Sequence, residues 1–165
     1  MVTREDLESF LIRMDIDYEE VDEGMYLLRS RNGGPPIVAH HSPPLLLLRM
    51  KVMDLDEKDT ETSAELYRLL LEMNATDVVH GAYGIENGEL ILSDTLELET
   101  LDFHEVQASI ESIQLALSGH MQQIRDLTGR PVSRGGAPSG AGTAGAGAAT
   151  VPGVGGSDSG GEEEG

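Results

Sequence analysis

Apolar residues recur every three or four positions in several segments of the chain, which is the spacing of one face of an α-helix. The first stripe predicts a helix from Thr3 to about Arg13, with Thr3 as its N-cap. The second predicts a helix from about Thr62 to Asn74, where Thr62 and Glu65 fit a capping box and Asn74 fits a C-terminal stop. The stripes consist of Leu7, Phe10, Leu11 and Met14, then of Leu66, Leu69, Leu70 and Met73.

A longer helix is predicted after Asp102, which can cap it together with Glu105 three residues later. Its apolar residues step alternately by four and three, as in a coiled-coil seam, and His120 is the polar member. The helix can reach about 39 Å at its rise per residue, so its far end is a candidate for contact with another chain. The seam consists of Val106, Ile110, Ile113, Leu117, His120, Ile124 and Leu127.

The segments between the helices alternate apolar and polar residues, as half-buried strands do. Short strands are predicted near Ile16–Val21, Met25–Ser30 and Ile37–His40, and the stretch LLLLRMKVM from Leu45 to Met53 alternates most clearly. Its core-facing set is predicted to be Leu46, Leu48, Met50 and Val52. Its other face is half apolar and half basic, and carries Leu45, Leu47, Arg49, Lys51 and Met53.

The stretch VVHGAYGIENGELIL contains three glycines after a strand, which raises the question of a phosphate-binding loop. A phosphate loop leads from a strand into a helix, whereas this one leads into the alternating segment ELILSD. Asn87-Gly88 between two apolar runs is typical of a tight hairpin turn. A β-hairpin is therefore predicted here, followed by a short strand or extended segment at Leu96, Leu98 and Leu101.

Four residues on the second strand face form the candidate partner-binding site: Leu45, Leu47, Arg49 and Ile91. If helices cover one face of the sheet, these residues form an exposed apolar patch with a basic rim, and such patches mark partner sites. The alternative is that the third helix covers this face too, which would make the same residues part of the core.

Composition divides the chain into a domain and a tail. Residues 1–128 carry the patterned segments, whereas residues 129–165 consist mostly of Gly, Ala, Ser, Thr, Pro and Val and end in an acidic run. The tail has too little apolar bulk to offset the entropy of ordering, so we predict that it is disordered.

The chain is strongly acidic, with a formal net charge of −19, of which the domain carries −17 from nine Lys and Arg against 26 Asp and Glu. Such a surface repels phosphate backbones and anionic lipid and favours basic partners, so nucleic acid and membrane partners are not expected. The alternative is that the acidity only maintains solubility.

Residues for catalysis are scarce. The chain has no cysteine, which excludes thiol catalysis, disulfides and cysteine-bound zinc, and it has no G-x-S-x-G motif. The histidines lack metal-ligand spacing, so neither a metal nor another cofactor is expected. His120 is a candidate for a pH-sensitive interface, with a half-buried seam residue as the simpler interpretation. Without a signal peptide or an apolar span, a cytoplasmic protein is expected.

The stretch ELYRLLLEMNATDVVHGAYGIENGELILSDTLELETLDFHEVQASIESI resembles the type III secretion chaperone-like fold, in its YbjN and CesT-type branch. The resemblance rests on an L-L-x-x-N helix end, a glycine in the next strand, a hairpin glycine, an apolar strand and an L-D entry to the last helix. These residues are Leu70, Leu71, Asn74, Gly81, Gly88, Leu90, Leu92, Leu101 and Asp102. With the N-terminal helix and strands, the resemblance covers about Thr3 to Leu127.

This resemblance implies an α+β fold, in which an antiparallel sheet has helices packed on it in α-β-β-β-α-β-β-α order. It implies a small acidic homodimer without enzymatic activity that holds another polypeptide, such as a secreted effector or a regulator. Binding would bury apolar side chains and pair main chains at a sheet edge. The alternative is a regulatory or sensory domain with a small ligand between sheet and helix.

Overall fold

The computed structural model of the chain describes residues 1–30, 33–56 and 58–132. Three helices and six strands follow one another along them. In chain order these are α1 Arg4–Arg13, β1 Tyr18–Asp22, β2 Met25–Leu28, β3 Ile37–Ser42, β4 Leu45–Asp54, α2 Thr60–Thr76, β5 Ala82–Glu86, β6 Glu89–Glu97 and α3 Phe103–Thr128. Most of the predicted disordered tail, from residue 133 onward, lies outside the described residues.

The six strands form one sheet in the order β1-β2-β3-β4-β6-β5, and every neighbouring pair is antiparallel. This confirms the predicted α+β class with an antiparallel sheet. Four strands lie between α1 and α2, one for each extended segment predicted from the sequence and one more than in the order that the resemblance implies. A turn at Pro43 and Pro44 separates β3 from β4. Leu96 belongs to β6, which extends to Glu97, so no separate strand lies between β6 and α3.

The predicted hairpin is confirmed between β5 and β6. Glu86 pairs with Glu89, so Asn87 and Gly88 form the two-residue turn. Both turn residues have positive φ, 50° and 76°, which is the requirement of this tight turn and the reason that Asn-Gly suits it. The chain therefore continues from the glycine-rich stretch into a strand and not into an anion-binding helix.

The helices pack on one face of the sheet. Leu7 and Leu11 of α1, with the buried residues of α2 and α3, share a single cluster with the core-facing side chains of β4. Those core-facing side chains are Leu46, Leu48, Met50 and Val52, as predicted. Burial of a leucine of this kind stabilises the fold by roughly 1.5–3 kcal/mol.

Met53 lies on the other face from the one predicted. The pairing of β4 with β6 shifts between Lys51 and Met53, where a β-bulge adds one residue to β4. An added residue reverses the alternation beyond it. Met53 is therefore buried in the helix-side cluster together with Val52.

The predicted ends of α2 are wrong at both termini. Asp59 caps the helix, because its carboxylate accepts the Thr62 backbone N–H at 3.1 Å, so Thr62 is a donor in the first turn and not the cap. The helix continues past Asn74 to Thr76. Asn74 does not stop the helix, and its side chain is bonded to β5 instead.

The predicted capping box of α3 is confirmed. Asp102 accepts the Glu105 backbone N–H and Glu105 accepts the Asp102 backbone N–H, each at 2.9 Å. At the other end Gly129 adopts φ 64° and caps the helix. Ile124 is fully buried and Val132 is 2% exposed, so the domain covers the last turns of α3 itself and its length does not require a second chain.

Candidate binding surfaces

The sheet face opposite the helices carries apolar side chains from three adjacent strands. Strand pairing places Leu47 beside His40 and Val38 beside Arg49, so these side chains share that face. We define the open sheet face as its apolar residues Met25, Leu27, Leu45 and Leu47, which are half-buried, and Val38, which is 1% exposed. None of the five belongs to the cluster that the helices cover. Among the described residues, α1, α2 and α3 bury their apolar side chains on the other side only.

The four residues of the predicted partner site all lie on this second face, but they differ in exposure. Leu45 and Leu47 are half-buried, whereas Ile91 is only 6% exposed. Ile91 lies on β6, between Arg49 of β4 and Glu86 of β5, whose Nη1 and Oε2 atoms are 3.1 Å apart. Arg49 and Glu86 thus reach each other across the strand that carries Ile91.

The basic side chains of this face have acidic partners. Lys51 Nζ lies 2.8 Å from Asp54 Oδ1 and 2.7 Å from Glu89 Oε1. The hydrogen bonds to Asp54 and Glu89 raise the pKa of Lys51 above its usual value. Together with the Arg49–Glu86 pair, these contacts offset the positive charge of the predicted basic rim, so the open sheet face is mainly an apolar surface.

A second apolar surface, whose residues were not among the predicted site residues, lies between α2 and the edge strand β5. We call it the α2–β5 groove; it has a volume of about 340 Å³ and is lined by Tyr67, Leu70, Leu71, Asn74, Tyr83, Gly84, Ile85 and Leu90. Leu71 is 67% exposed and Ile85 is 54% exposed. A signal was available in the sequence, because Tyr67, Leu71 and Asn74 recur at helical spacing beside the core stripe of α2.

The Asn74 side chain connects α2 to the edge strand β5 by two hydrogen bonds. Its Nδ2 donates to the Tyr83 carbonyl at 3.1 Å, and the Tyr83 N–H donates to Asn74 Oδ1 at 2.7 Å. Since β5 lies at the edge of the sheet, these are the main-chain groups that an added strand would use. The side-chain amide therefore occupies the edge of β5 at Tyr83.

A hydrogen-bonded chain behind the groove runs from the buried side chains of Tyr83 and His120 to the half-exposed Asp77. Tyr83 Oη is 3.0 Å from His120 Nδ1, and His120 Nε2 is 3.3 Å from Asp77 Oδ2. Burial raises the pKa of the Tyr83 phenol, so it stays protonated at neutral pH. The Thr76 side chain, and then His120, hold the pKa of Asp77 below its usual value by hydrogen bonding. The chain connects α2, β5 and α3; a pH-sensitive interface at His120 stays a prediction.

Neither a metal site nor a membrane span is found in the part of the chain that the structure describes. No group of three or more His, Cys, Asp or Glu side chains there could hold a metal ion. No helix within residues 1–30, 33–56 and 58–132 is long and apolar enough to cross a membrane.

Comparison with known proteins gives one family match by sequence. The sequence profile of the family described as CesT_Tir_1 matches residues 2–130, which is most of the chain. No curated protein is significantly similar to the chain in sequence.

Three solved structures share the fold at low sequence identity. A chain of the heterodimeric complex ExoU–SpcU from the type III secretion system of Pseudomonas aeruginosa is 13% identical, with a TM-score of 0.56, covering 73% of this chain and 96% of that one. YbjN from E. coli, a putative transcription regulator by its description, is 12% identical, with a TM-score of 0.54 and coverages of 74% and 93%. A chain of the Yersinia pestis type III secretion chaperone SycH in complex with a stable fragment of YscM2 is 14% identical, with a TM-score of 0.51 and coverages of 70% and 98%. The predicted type III secretion chaperone-like fold is thereby confirmed.

Proposed function

This chain belongs to the CesT_Tir_1 family, and from that premise we propose that it is a non-enzymatic module that holds a partner polypeptide on its open sheet face. The observation that carries the proposal is an apolar face with no helix over it among the described residues. Two relatives in fold support it, since they are known from complexes with another protein, ExoU with SpcU and SycH with a fragment of YscM2.

The proposed contact is centred on Leu45 and Leu47, with Arg49 and Ile91 beside them. Leu45 and Leu47 are half-buried, so a partner can still remove apolar area from water, at roughly 25 cal/mol per Å². Arg49 and Glu86, which pair across β6 beside Ile91, can redirect their charges to a partner. Specificity would come from the partner side chains that fit between the leucines.

Capture of partners by the full-length chain tests the proposal. Leu47→Asp places a charge at the centre of the open sheet face, and the matched control is Leu115→Asp on α3, where the leucine is exposed. We expect polypeptides bound from the native cell extract to be retained by Leu115→Asp and lost by Leu47→Asp. Circular dichroism and thermal unfolding of both variants check that each is folded. Equal capture by the two variants, or capture of no polypeptide by the unchanged chain, would contradict the proposal.

A homodimer in the cytoplasm is the finer part of the proposal, and the resemblance to the chaperone family implies it. Sedimentation equilibrium of the full chain measures the association directly. We expect a dimer at micromolar concentration; a monomer throughout that range would remove the homodimer and leave the binding module in place.

A second candidate function is the recognition of a small apolar ligand between sheet and helix. The observation that favours it is the α2–β5 groove, whose volume of about 340 Å³ lies at the lower end of the range of ligand pockets. A thermal-shift screen against cell metabolites tests it. A reproducible rise of several degrees in Tm that Ile85→Asp abolishes would support the ligand, and a flat screen would contradict it.

A further inference from the structure

We propose that His40 selects the partner of the open sheet face: the segment bound there carries an uncharged hydrogen-bonding side chain, Ser, Thr, Asn or Gln, over the imidazole. The inference rests on the proposed polypeptide-binding function and adds the chemistry by which that face distinguishes one apolar segment from another. His40 lies on β3, and strand pairing places it between Met25 of β2 and Leu47 of β4.

The His40 imidazole lacks a hydrogen bond at one nitrogen. Its Nδ1 atom is out of contact with solvent and has no hydrogen-bond partner among the residues that the structure describes. The residue as a whole is half-buried, and Val38 and Ser42 flank it on the same face of β3. Nearly all buried polar groups in native structures are bonded, so an unbonded nitrogen at the centre of the proposed binding face points to a group that the partner supplies.

The next residue of β3 is a histidine whose hydrogen bond is made within the domain. Successive side chains of a strand point to opposite faces, and His41 pairs with the core-facing Leu46 on the helix side. His41 Nε2 lies 2.9 Å from the carbonyl oxygen of Val2. The histidine on the helix side is therefore bonded inside the domain, whereas the one on the open sheet face is not bonded at Nδ1.

A partner with only apolar side chains would cover His40 at a cost. Such a segment takes the rest of the imidazole out of water and leaves Nδ1 without a partner, which weakens binding because the polar ring is desolvated without compensation. Half a turn about the Cβ–Cγ bond exchanges the places of Nδ1 and Cδ2, so Nδ1 can turn toward a group on the partner. A hydrogen-bonding side chain at that place removes the cost, and the difference between the two partners is specificity.

The imidazole and the charges around it favour an uncharged group. A neutral imidazole has one donor and one acceptor nitrogen, and hydroxyl and carboxamide groups can both donate and accept, so they match either nitrogen. A partner carboxylate would meet the exposed Asp22, which pairs with Met25, and the exposed Glu97, which pairs with Leu45. A lysine or arginine has no acceptor, and its charge would be desolvated between Met25 and Leu47.

Peptide display against the full-length chain tests the proposal. The probe is a library of random peptides of about ten residues, the upper length of an ordinary strand. Selections are made on the unchanged chain, on His40→Leu and on Leu47→Asp. We expect the peptides that require Leu47 to share apolar residues at alternate positions and one Ser, Thr, Asn or Gln among them. On His40→Leu, we expect an apolar residue to be selected at that position.

A synthetic peptide from the selection gives the size of the effect. Replacing its uncharged polar residue by an apolar one of similar shape, such as valine for threonine, should raise the Kd about tenfold on the unchanged chain. On His40→Leu the same replacement should change the Kd by less than about twofold, because the two residues no longer interact. His41→Gln is the matched control: it lies on the other face, keeps a donor for the Val2 carbonyl and should preserve the tenfold difference. Circular dichroism and thermal unfolding check that each variant is folded.

The possible failures separate this inference from the function on which it rests. A charged or apolar residue at that position in the peptides that the unchanged chain selects overturns the role of His40. So does a replacement that weakens binding equally on the unchanged chain and on His40→Leu. In both cases the requirement for Leu47 remains and the proposed function stands. Peptides that Leu47→Asp selects equally well, or a selection that yields no peptide, contradict the proposed function and this inference with it.

Discussion

Asn74 shows how one side chain can determine what a sheet edge does. Its amide has the same donor and acceptor groups as a peptide bond, and it pairs with Tyr83 in both directions, at 3.1 and 2.7 Å. The residue type gave a reasonable expectation of a helix stop, because asparagine often ends helices. Only the position of β5 beside α2 shows its actual role, and that position depends on contacts distant in sequence.

Asn74→Ala should lower the free energy of unfolding by about 1–2 kcal/mol, because it leaves the Tyr83 N–H and C=O without partners in a partly buried place. Urea unfolding of the variant and of the unchanged chain measures the difference. Asn74→Asp is a matched comparison: it keeps the acceptor for the Tyr83 N–H but places a charged carboxylate oxygen against the Tyr83 carbonyl oxygen, so we expect a loss at least as large. Equal stability of all three proteins would show that the bonds do not contribute.

Asp6 provides a test of pH dependence at the start of α1. The Thr3 N–H and hydroxyl both donate to Asp6 Oδ2 at 2.9 Å, and these hydrogen bonds hold the pKa of Asp6 below its ordinary value. The folded pKa is thus lower than the unfolded one. The stabilisation is therefore present above roughly pH 4 and is lost as the pH falls through the lower folded pKa.

An NMR titration of the Asp6 carboxyl checks this expectation. We expect a midpoint below that of an unfolded aspartate, and in Thr3→Val a midpoint partly restored toward the ordinary value, because the hydroxyl donor is gone while the N–H remains. An ordinary midpoint in the unchanged chain would contradict the assignment.

At the scale of elements, the entry to β5 depends on a glycine that no other residue can replace without strain. Gly81 has φ 85°, and a Cβ atom there would lie 2.5 Å from the Ser93 carbonyl oxygen of β6. Gly84 lies three residues later, within β5, and a Cβ atom there would meet no atom within 4 Å. The two glycines therefore have different roles, although the sequence shows them as two similar positions in one loop.

Gly81→Ala should lower the free energy of unfolding by about 1–3 kcal/mol, through backbone strain and the displacement of β5 from β6. Gly84→Ala within β5 is the control, and its stability should stay within about 0.5 kcal/mol of the unchanged chain. Thermal and urea unfolding give both values. A Gly81→Ala protein as stable as Gly84→Ala would show that the close approach is relieved at little cost.

The elements that sequence could predict are those with a local cause. The stripe of α3, its Asp102 cap and the Asn87-Gly88 turn all depend on residues close in sequence, and all are confirmed. The β4 bulge and the end of α2 depend on β6 and β5, so the alternation of LLLLRMKVM could not place Met53. The candidate site shows the same division. Its four residues share a face as alternation predicts, but alternation does not show that Arg49 and Glu86, on the two strands beside Ile91, pair across it.

At the scale of the whole molecule, the domain extends into the segment after α3. Val132 is 2% exposed and belongs to the core cluster. Arg130 Nη2 lies 2.5 Å from Asp56 Oδ2. The composition of the sequence predicted a domain boundary at residue 128, because Pro131 and Val132 do not belong to a periodic pattern of apolar residues.

A protein ended after Thr128 should be less stable than one ended after Val132, by about 1–3 kcal/mol, since the first loses a buried valine. The exposed Arg130–Asp56 pair should contribute less than the valine. Urea unfolding of both shortened proteins and of the full chain measures the difference. If the protein that ends after Thr128 is as stable as the other two, residues 129–132 do not contribute to the free energy of unfolding.

The two outer strands of the sheet limit how this molecule can grow into larger assemblies. At one end β1 carries Glu19, Glu20 and Asp22, and at the other the Asn74 amide occupies β5 at Tyr83. Acidic side chains and occupied main-chain groups both disfavour the pairing of an edge strand with the edge strand of another copy. A protein that displays leucines on an open face is at risk of forming fibrils by stacking sheet upon sheet. With both edge strands protected in this way, the leucines of the open sheet face can be exposed without copies of the sheet adding to one another edge to edge.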